Sequence, residues 1–397
     1  MQISTAQHRP FCSCCETAAS EHARLPITPY SMQSSPLQWQ NLPASDLQKT
    51  VSLRTEWDRL NQERSNLPFM TADAIQLAVQ IFGAGNERLL VARQSNSLVA
   101  MLIVVPAGRF QWRSFQPSQL PLGAWVASSS LTASELARSV CHGPLGLCLG
   151  FSLTQVDPLL APREAELADT KPMDYIDTGW IDIAGSYEDY WAARGKNLRQ
   201  NMRKQRNKLA AEGVVTEMRS FTAPEDMPDA IARYGALESA GWKAGKGTAI
   251  HPENEQGRFY IQLLQTAARQ GGAVVFEYLF NGKTVALNLC LQRAGMLVIL
   301  KTTYDESIQA YSPAFLLSQD VLEKLFAEGQ IQRLEYYGRM MEWHTRWTEN
   351  QRGLYHLTSY RWPWLKSLAE RRRQMQASAA APAPATEPPA KAAATAE

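Results

Sequence analysis

Between Tyr304 and Gly329 the chain reads YDESIQAYSPAFLLSQDVLEKLFAEG. Residues near the front of this stretch are of types that hold anions. Ser312 suits a helix N-cap and Pro313 suits the first helical position. Leu317, Val321 and Leu325, widened by Leu322 and Phe326, recur at helical spacing, and Gly329 fits the residue that closes the helix. The first carboxylate after the helix start is Asp320. Helices usually place Asp or Glu early, because the unpaired N–H groups there carry partial positive charge. A capping box would need Glu or Gln at 315, where Phe stands. The pattern therefore predicts a helix start open to a phosphate at Ser312, Pro313, Ala314 and Phe315, with Gln309 and Tyr311 just before it. A self-sufficient Ser-Pro start facing water is the alternative.

Two further segments carry usable side chains. Arg194, Lys196, Arg199, Arg203, Lys204, Arg206 and Lys208 meet no acid until Glu212. On a helix Lys196, Arg199, Arg203 and Arg206 share one face, and Leu198, Met202 and Leu209 share another. This predicts a docked helix whose cationic side is either a solvated face or a seat for an anionic ligand, a tRNA or a membrane surface, with Arg199 and Arg203 central. Glu238 and Trp242 are four apart and face the same way on a helix, with Lys243 beside them. No Ser-His-Asp, Cys-His or paired-carboxylate arrangement stands out, which disfavours hydrolysis.

The elements that must position these residues come in two sets. RLLVARQSNSLVAMLIVVPAGRFQWRSF reads as strand, turn, strand, turn, strand, and AVVFEYLFNGKTVALNLCLQRAGMLVIL has the same rhythm, with Asn281-Gly282 as a hairpin signal. A helix and a strand follow each: Thr132–Cys141 then Leu145–Ser152, and Pro313–Glu328 then Ile331–Tyr337. We read two copies of one α/β unit, joined near residues 155–175, where Asp157-Pro158 and Lys171-Pro172 break the pattern. The copies differ where chemistry would occur. Thr132 and Glu135 form a capping box, so the first helix supplies its own carboxylate. The first unit, 46–160, is thus the degenerate one, and the second, 161–370, binds the ligand.

Residues 1–45 are polar and without periodicity, and 371–397 are rich in Ala and Pro; both are expected to be disordered. A net charge of +2 advertises neither nucleic acid nor membrane for the chain as a whole. No apolar run approaches the ~20 residues of a membrane span, and the N-terminus lacks the apolar core of a secretory signal, so a cytoplasmic protein is expected. Of six cysteines, Cys12, Cys14 and Cys15 cluster, but no matching Cys/His pair follows at zinc spacing; no metal is expected.

The order of elements, with the 309–314 stretch, resembles the GNAT acyltransferase superfamily. Those proteins seat the pyrophosphate of acyl-CoA on a Q/R-x-x-G-x-G/A turn before a helix. Gln309 and Ala314 match this turn, and Ser312 replaces its first glycine. The chain is more closely similar to the tandem-GNAT, FemAB-like group, and within it to CelD-like acetyltransferases. The similarity rests on LRQNMRKQRNKLAAEG, LESAGWKAGKGTAI, Phe259-Tyr260, Tyr311–Ala314, Glu328-Gly329 and Gly338. EWHTRW stands where the group has a Tyr-Lys-x-x-Trp-like cluster, so a role for that lysine does not carry over.

The resemblance implies an α/β fold of two tandem GNAT-like domains, each a mixed, mostly antiparallel sheet flanked by helices. It implies acyl-CoA, acetyl-CoA in the first instance, as donor, and a small-molecule or glycan acceptor with an amine or hydroxyl, in envelope or polysaccharide metabolism. Glu238, Trp242 and Lys243 would line the acceptor side. Acyl transfer needs a base for the acceptor proton, donors that polarise the thioester carbonyl, and an acid for the leaving thiolate. His344 is the expected base by type, with Asp305 and Tyr337 as further catalytic candidates and Tyr304 beside them. Two alternatives remain: a FemAB-type transferase that takes its group from aminoacyl-tRNA, and a catalytically silent binding or scaffold protein.

Overall fold

The computed structural model describes residues 36–240 and 250–380. The chain opens with strand β1 (Gln38–Pro43) and helices α1 (Asp46–Lys49), α2 (Val51–Arg64) and α3 (Ala72–Phe82). The first meander is β2 (Arg88–Gln94), β3 (Ser97–Gly108) and β4 (Gln111–Ser114), followed by β5 (Trp125–Ala127), α4 (Ala133–His142) and β6 (Gly150–Val156). Then come β7 (Thr170–Asp182), α5 (Tyr187–Ala193), α6 (Lys196–Ala211), β8 (Thr216–Phe221), α7 (Met227–Ala240) and α8 (Glu255–Ala268). The second meander is β9 (Ala273–Phe280), β10 (Lys283–Arg293) and β11 (Met296–Tyr304). It leads into α9 (Pro313–Glu328), β12 (Arg333–Glu335), α10 (Glu342–Thr345), β13 (Gln351–Tyr360) and α11 (Pro363–Ala380).

Both meanders fold as their turns predict. Ser95 and Asn96, and Asn281 and Gly282, all take positive φ, the conformation of a tight hairpin whose twist matches its strands. The strands join one sheet in the order β1-β2-β3-β4-β6-β13-β7-β12-β11-β10-β9-β8, with β5 beside β3. Within each half one contact is parallel, β4 with β6 and β11 with β12; the other pairings are antiparallel.

The halves are tied by an exchange of strands. β7 follows the first half in sequence but pairs with β12 of the second, whereas β13 follows the second half and pairs with β6 of the first. β13 and β7 then pair with each other at the centre. The region expected to form the second domain, 161–370, therefore contains the strand that completes the first sheet. A short polar cluster fastens this seam. Arg352 on β13 donates through Nε and Nη2 to the Asp157 carboxylate at 2.9 and 2.7 Å, and its Nη2 lies 3.0 Å from Glu335. Asp157, expected only as a break in the pattern, is thus an anchor.

Two expected ends differ. The disordered leader was expected to reach residue 45, but Gln38–Pro43 pairs with β2, and the Trp39 indole donates to Ser139 Oγ at 2.8 Å. Trp39 and Leu42, both half-buried against the core, supply the anchor that this short, mostly polar strand does not advertise. The tail was expected to begin at 371, but α11 continues to Ala380 because Lys366 donates to Leu167 O at 2.6 Å and Glu370 pairs with Lys171 at 2.8 Å.

Candidate active site

β11 and β12 run in parallel for only three residues, Met296 to Val298 against Arg333 to Glu335. β12 then ends, and Tyr336 donates its backbone N–H to Gly179 O on β7 instead. β11 continues to Tyr304, paired on its other side with β10 and bulged at Leu300, between the Lys301–Leu289 and Ile299–Cys290 pairs. The two strands part like a V, leaving the β12-facing edge of 299–304 outside the ladder. Bulges of this kind re-aim backbone groups and recur beside active sites.

The corresponding place in the first half is closed. Ser114 Oγ, at the end of β4, lies 2.8 Å from Thr154 Oγ1 and accepts the Thr154 N–H at 2.9 Å. Gly123 N–H donates to Thr154 O at 3.1 Å, drawing the following loop into the gap. The α4 start is also occupied: Thr132 Oγ1 accepts from Glu135 N at 3.2 Å, and the Glu135 carboxylate accepts from Thr132 N at 3.0 Å. The sequence asymmetry between the two helix starts is therefore matched by an asymmetry in the sheet.

A cavity of about 370 Å³ occupies the open V. Its walls come from Leu237 and Glu238 of α7, Thr302 to Tyr304 of β11, Glu306 and Gln309 of the following 3₁₀ turn, Ser312 to Phe315 and Ser318 of α9, and Trp343 and Trp347 around α10. The α9 start is as uncharged as its sequence predicts, with no acid in its first turn. Ser312, however, does not cap with its hydroxyl. It is left-handed, at φ 53° and ψ 50°, and makes no side-chain cap bond. That conformation disfavours a β-carbon, which explains why glycine suits the position. Phe315 N–H and Leu316 N–H both return to Ser312 O, while proline at 313 has no N–H to offer.

Further positive charge gathers close by. The Arg346 guanidinium lies 5.7 Å from the centre of the Phe315 ring. Arg194 Nη1 donates to Trp347 O at 2.8 Å, and Arg199 Nε donates to Arg194 O at 3.1 Å, so the start of α6 abuts the tryptophan wall. That start has no acid in its first turn either. Sequence reasoning missed Arg194 and Arg346 as neighbours of the cavity; the run EWHTRW carried the only signal for Arg346.

The expected site residues separate into three groups. Gln309, Ser312, Pro313, Ala314, Phe315 and Glu238 line one cavity, as does Tyr304. Glu238 is only 6% exposed, and its Oε2 accepts the Ile250 N–H at 2.7 Å. Gly235 makes that bond reachable: a β-carbon there would lie 2.3 Å from Ile250 O. Tyr311 turns away, donating its hydroxyl to Glu212 at 2.7 Å under the Lys208 ammonium. Arg199 and Arg203 are exposed on α6 and line no part of the cavity, whereas Leu198, Met202 and Leu209 are buried as expected. Arg206 leaves the free cationic face and pairs with Asp320 on α9. Trp242 and Lys243 lie outside the described residues.

The three expected catalytic residues are elsewhere. His344 is buried, stacked on Trp343 with ring centres 3.5 Å apart, and its Nδ1 accepts the Met341 N–H at 2.9 Å. Burial pushes its imidazole down to about 4. A neutral ring with Nδ1 engaged has only a donor left, so it caps its own short helix instead of removing protons. The Asp305 carboxylate is engaged by its own turn, accepting from Ser307 Oγ at 2.5 Å and Ser307 N at 3.0 Å, and it pairs with Lys283 at 3.4 Å. The Ser307 hydroxyl bond, foremost, holds it below the ordinary carboxylate range. Tyr337 sits in the seam between halves, edge-on to Phe69 at 5.1 Å, and burial raises its hydroxyl far above the ordinary value.

A family model described as an acetyltransferase (GNAT) domain matches residues 196–345, the span holding every wall of the cavity except Trp347. The C-terminal domain of a putative lysylphosphatidylglycerol synthetase from Agrobacterium fabrum superposes with a TM-score of 0.50 at 12% identity, covering 84% of this chain and 96% of that one. FemX superposes with a TM-score of 0.50 at 8% identity, covering 80% of this chain and 98% of that one. No curated protein sequence matches. At these identities the two structures establish the fold, and the family model establishes a GNAT domain in the second half.

Proposed function

We propose that this acyltransferase, with its GNAT domain in the second half of the chain, moves an acyl group from acyl-CoA to an amine. The observation that carries the reading is the convergence, in one cavity, of an acid-free helix start, the unpaired edge of a bulged strand and a buried carboxylate. Acyl-CoA fits the chemistry of these walls. The diphosphate would lie at the start of α9, where the Ala314 N–H and the helix dipole favour negative charge. The acyl-pantetheine arm would enter the V as an added strand, hydrogen-bonding the free edge of β11.

Glu238 is the base in this reading. The bond from Ile250 N–H orients its carboxylate, and the second carboxylate lining the cavity, Glu306, adds to a field that attracts a protonated amine. Glu238 first takes a proton from the ammonium, the freed amine attacks the thioester carbonyl, the C–S bond breaks as the Tyr304 hydroxyl protonates the leaving thiolate, and the second amine proton returns to the Tyr304 phenolate. A β11 backbone N–H within the V would hold the oxyanion. The first half buttresses this sheet, and among the described residues none of its side chains lines the cavity. CelD-like chemistry on a cytoplasmic glycan or envelope precursor is the expected setting.

The test pairs calorimetric titration of acetyl-CoA with turnover on an amine panel. Glu238→Gln keeps an oxygen for Ile250 N–H, so donor affinity should hold while turnover falls by ~10²–10⁴-fold. Full turnover in this variant would remove Glu238 as base. Binding of charged tRNA in place of acetyl-CoA would overturn the donor and favour the aminoacyl-tRNA reading, and binding of neither would favour the silent scaffold.

A further inference from the structure

A second functional surface lies at the far side of the first half, on α11. Trp364, Leu368, Arg371 and Met375 recur at positions i, i+4, i+7 and i+11, one stripe of a helix. The stripe faces outward: Trp364 is 60% exposed, and Leu368 and Met375 are exposed as well. The opposite face is fixed to the protein. There Lys366 donates to Leu167 O at 2.6 Å and pairs with Glu166 at 2.6 Å, Glu370 pairs with Lys171 at 2.8 Å, and Arg373 donates to Tyr360 Oη at 3.4 Å. The exposed stripe is therefore not a helix waiting to turn inward.

The stripe continues onto neighbouring segments. Trp362 is exposed and stacks on Trp364 at 5.9 Å with the rings 9° from parallel. Arg361, just before it, donates its backbone N–H to Leu149 O, and its guanidinium donates to Cys141 O and Gly146 O. Leu149 N–H in turn donates to Phe110 O. These bonds tie the backbones of Leu149 and Phe110 to Arg361, one residue before Trp362, and Phe110 and nearby Leu147 are exposed as well. Each apolar tip has a cation near it: Arg361 beside Trp362, Arg109 beside Phe110, and exposed Arg371 and Arg372 along the helix. The only acid between 361 and 376, Glu370, is spent on the docked face.

We propose that this surface docks on an anionic phospholipid bilayer, with α11 lying in the plane of the headgroups. Tryptophan prefers the boundary between headgroup and acyl chain, where its ring is buried and its N–H stays wet. Arginines beside such a stripe meet phosphate, and their attraction to an anionic leaflet adds to the burial of Leu and Met. Among the described residues no helix is long and apolar enough to cross a membrane. The proposal is independent of which acyl donor the cavity takes.

Flotation of the full chain with phosphatidylcholine vesicles, with and without phosphatidylglycerol, tests it. Binding should require phosphatidylglycerol, weaken with salt and shift tryptophan emission to the blue. Arg371→Gln with Arg372→Gln should weaken binding by roughly 30-fold. Trp362→Ser with Trp364→Ser should weaken it and abolish the emission shift while leaving the cooperative thermal melt intact, which shows the variant is folded. Three results would overturn the proposal: no binding at low salt, binding lost with Arg199→Gln and Arg203→Gln but unaffected by the α11 variants, or a concentration-dependent dimer that needs Trp364 in the absence of vesicle binding.

Discussion

Glu335 ends β12 at the point where the V opens, and it is buried beside Asp157, with Arg352 between the two carboxylates and Arg333 3.8 Å from its other oxygen. Burial, foremost, raises its carboxyl from the ordinary 4.5 to about 7, and Arg352 only partly offsets this. A carboxyl whose folded pKa lies above its unfolded one favours the folded state fully at pH values below 4.5. That contribution falls as pH rises through the interval and is gone above about 7. The rise corresponds to roughly 3 kcal/mol against the charged form. Glu335→Gln removes the titration and keeps the shape. The variant should therefore exceed the wild type by up to about 3 kcal/mol at pH 8, with the gap closing to within about 1 kcal/mol at pH 5. Urea unfolding followed by tryptophan fluorescence at both pH values measures it. Arg352→Met provides the opposite sign, a loss of about 3–5 kcal/mol at pH 8, because Asp157 then loses its buried ion pair and Glu335 keeps only the more distant Arg333. A pH-independent gap, or a glutamine variant weaker than wild type at pH 8, would mean that Arg352 fully compensates the charge and that the reasoning is wrong.

Three further outcomes are expected. Ser312→Gly should stabilise the protein by about 1 kcal/mol by relieving the left-handed serine and should leave donor affinity unchanged, whereas Ser312→Asp should weaken acetyl-CoA binding by repelling its diphosphate; equal affinities for both variants in calorimetry would remove the helix start from the site. His344→Gln should leave the pH profile of turnover unchanged and cost about 1 kcal/mol in thermal stability, since the residue caps a helix; loss of an activity limb would restore it as a base. A chain beginning at residue 36 should keep its cooperative melt, while one beginning at 44 should lose stability through the missing β1 and Trp39; identical melts would show that the strand contributes nothing.

The local chemistry of the second half was legible in the sequence. Hydrophobic alternation and Asn281-Gly282 fixed the meander, and the apolar stripe with its closing Gly329 fixed α9. The contrast between Phe315 and Glu135 identified which copy has an open helix start, because capping depends on residues three apart. Glu238 was legible as a candidate, though not as a wall residue held by Ile250, since that bond depends on a loop re-entering against Gly235. His344, Asp305 and Tyr337 were plausible by type and by proximity in sequence to the strand ends. Their availability depended on what lay around them: a neighbouring N–H, a serine two residues on, and an aromatic ring from the other half. The exchange of β7 and β13 was invisible for the same reason. An antiparallel strand carries the same alternation whichever neighbour it pairs with, and only packing the two halves together decides that β13 completes the first sheet and that Arg352 meets Asp157 across the seam.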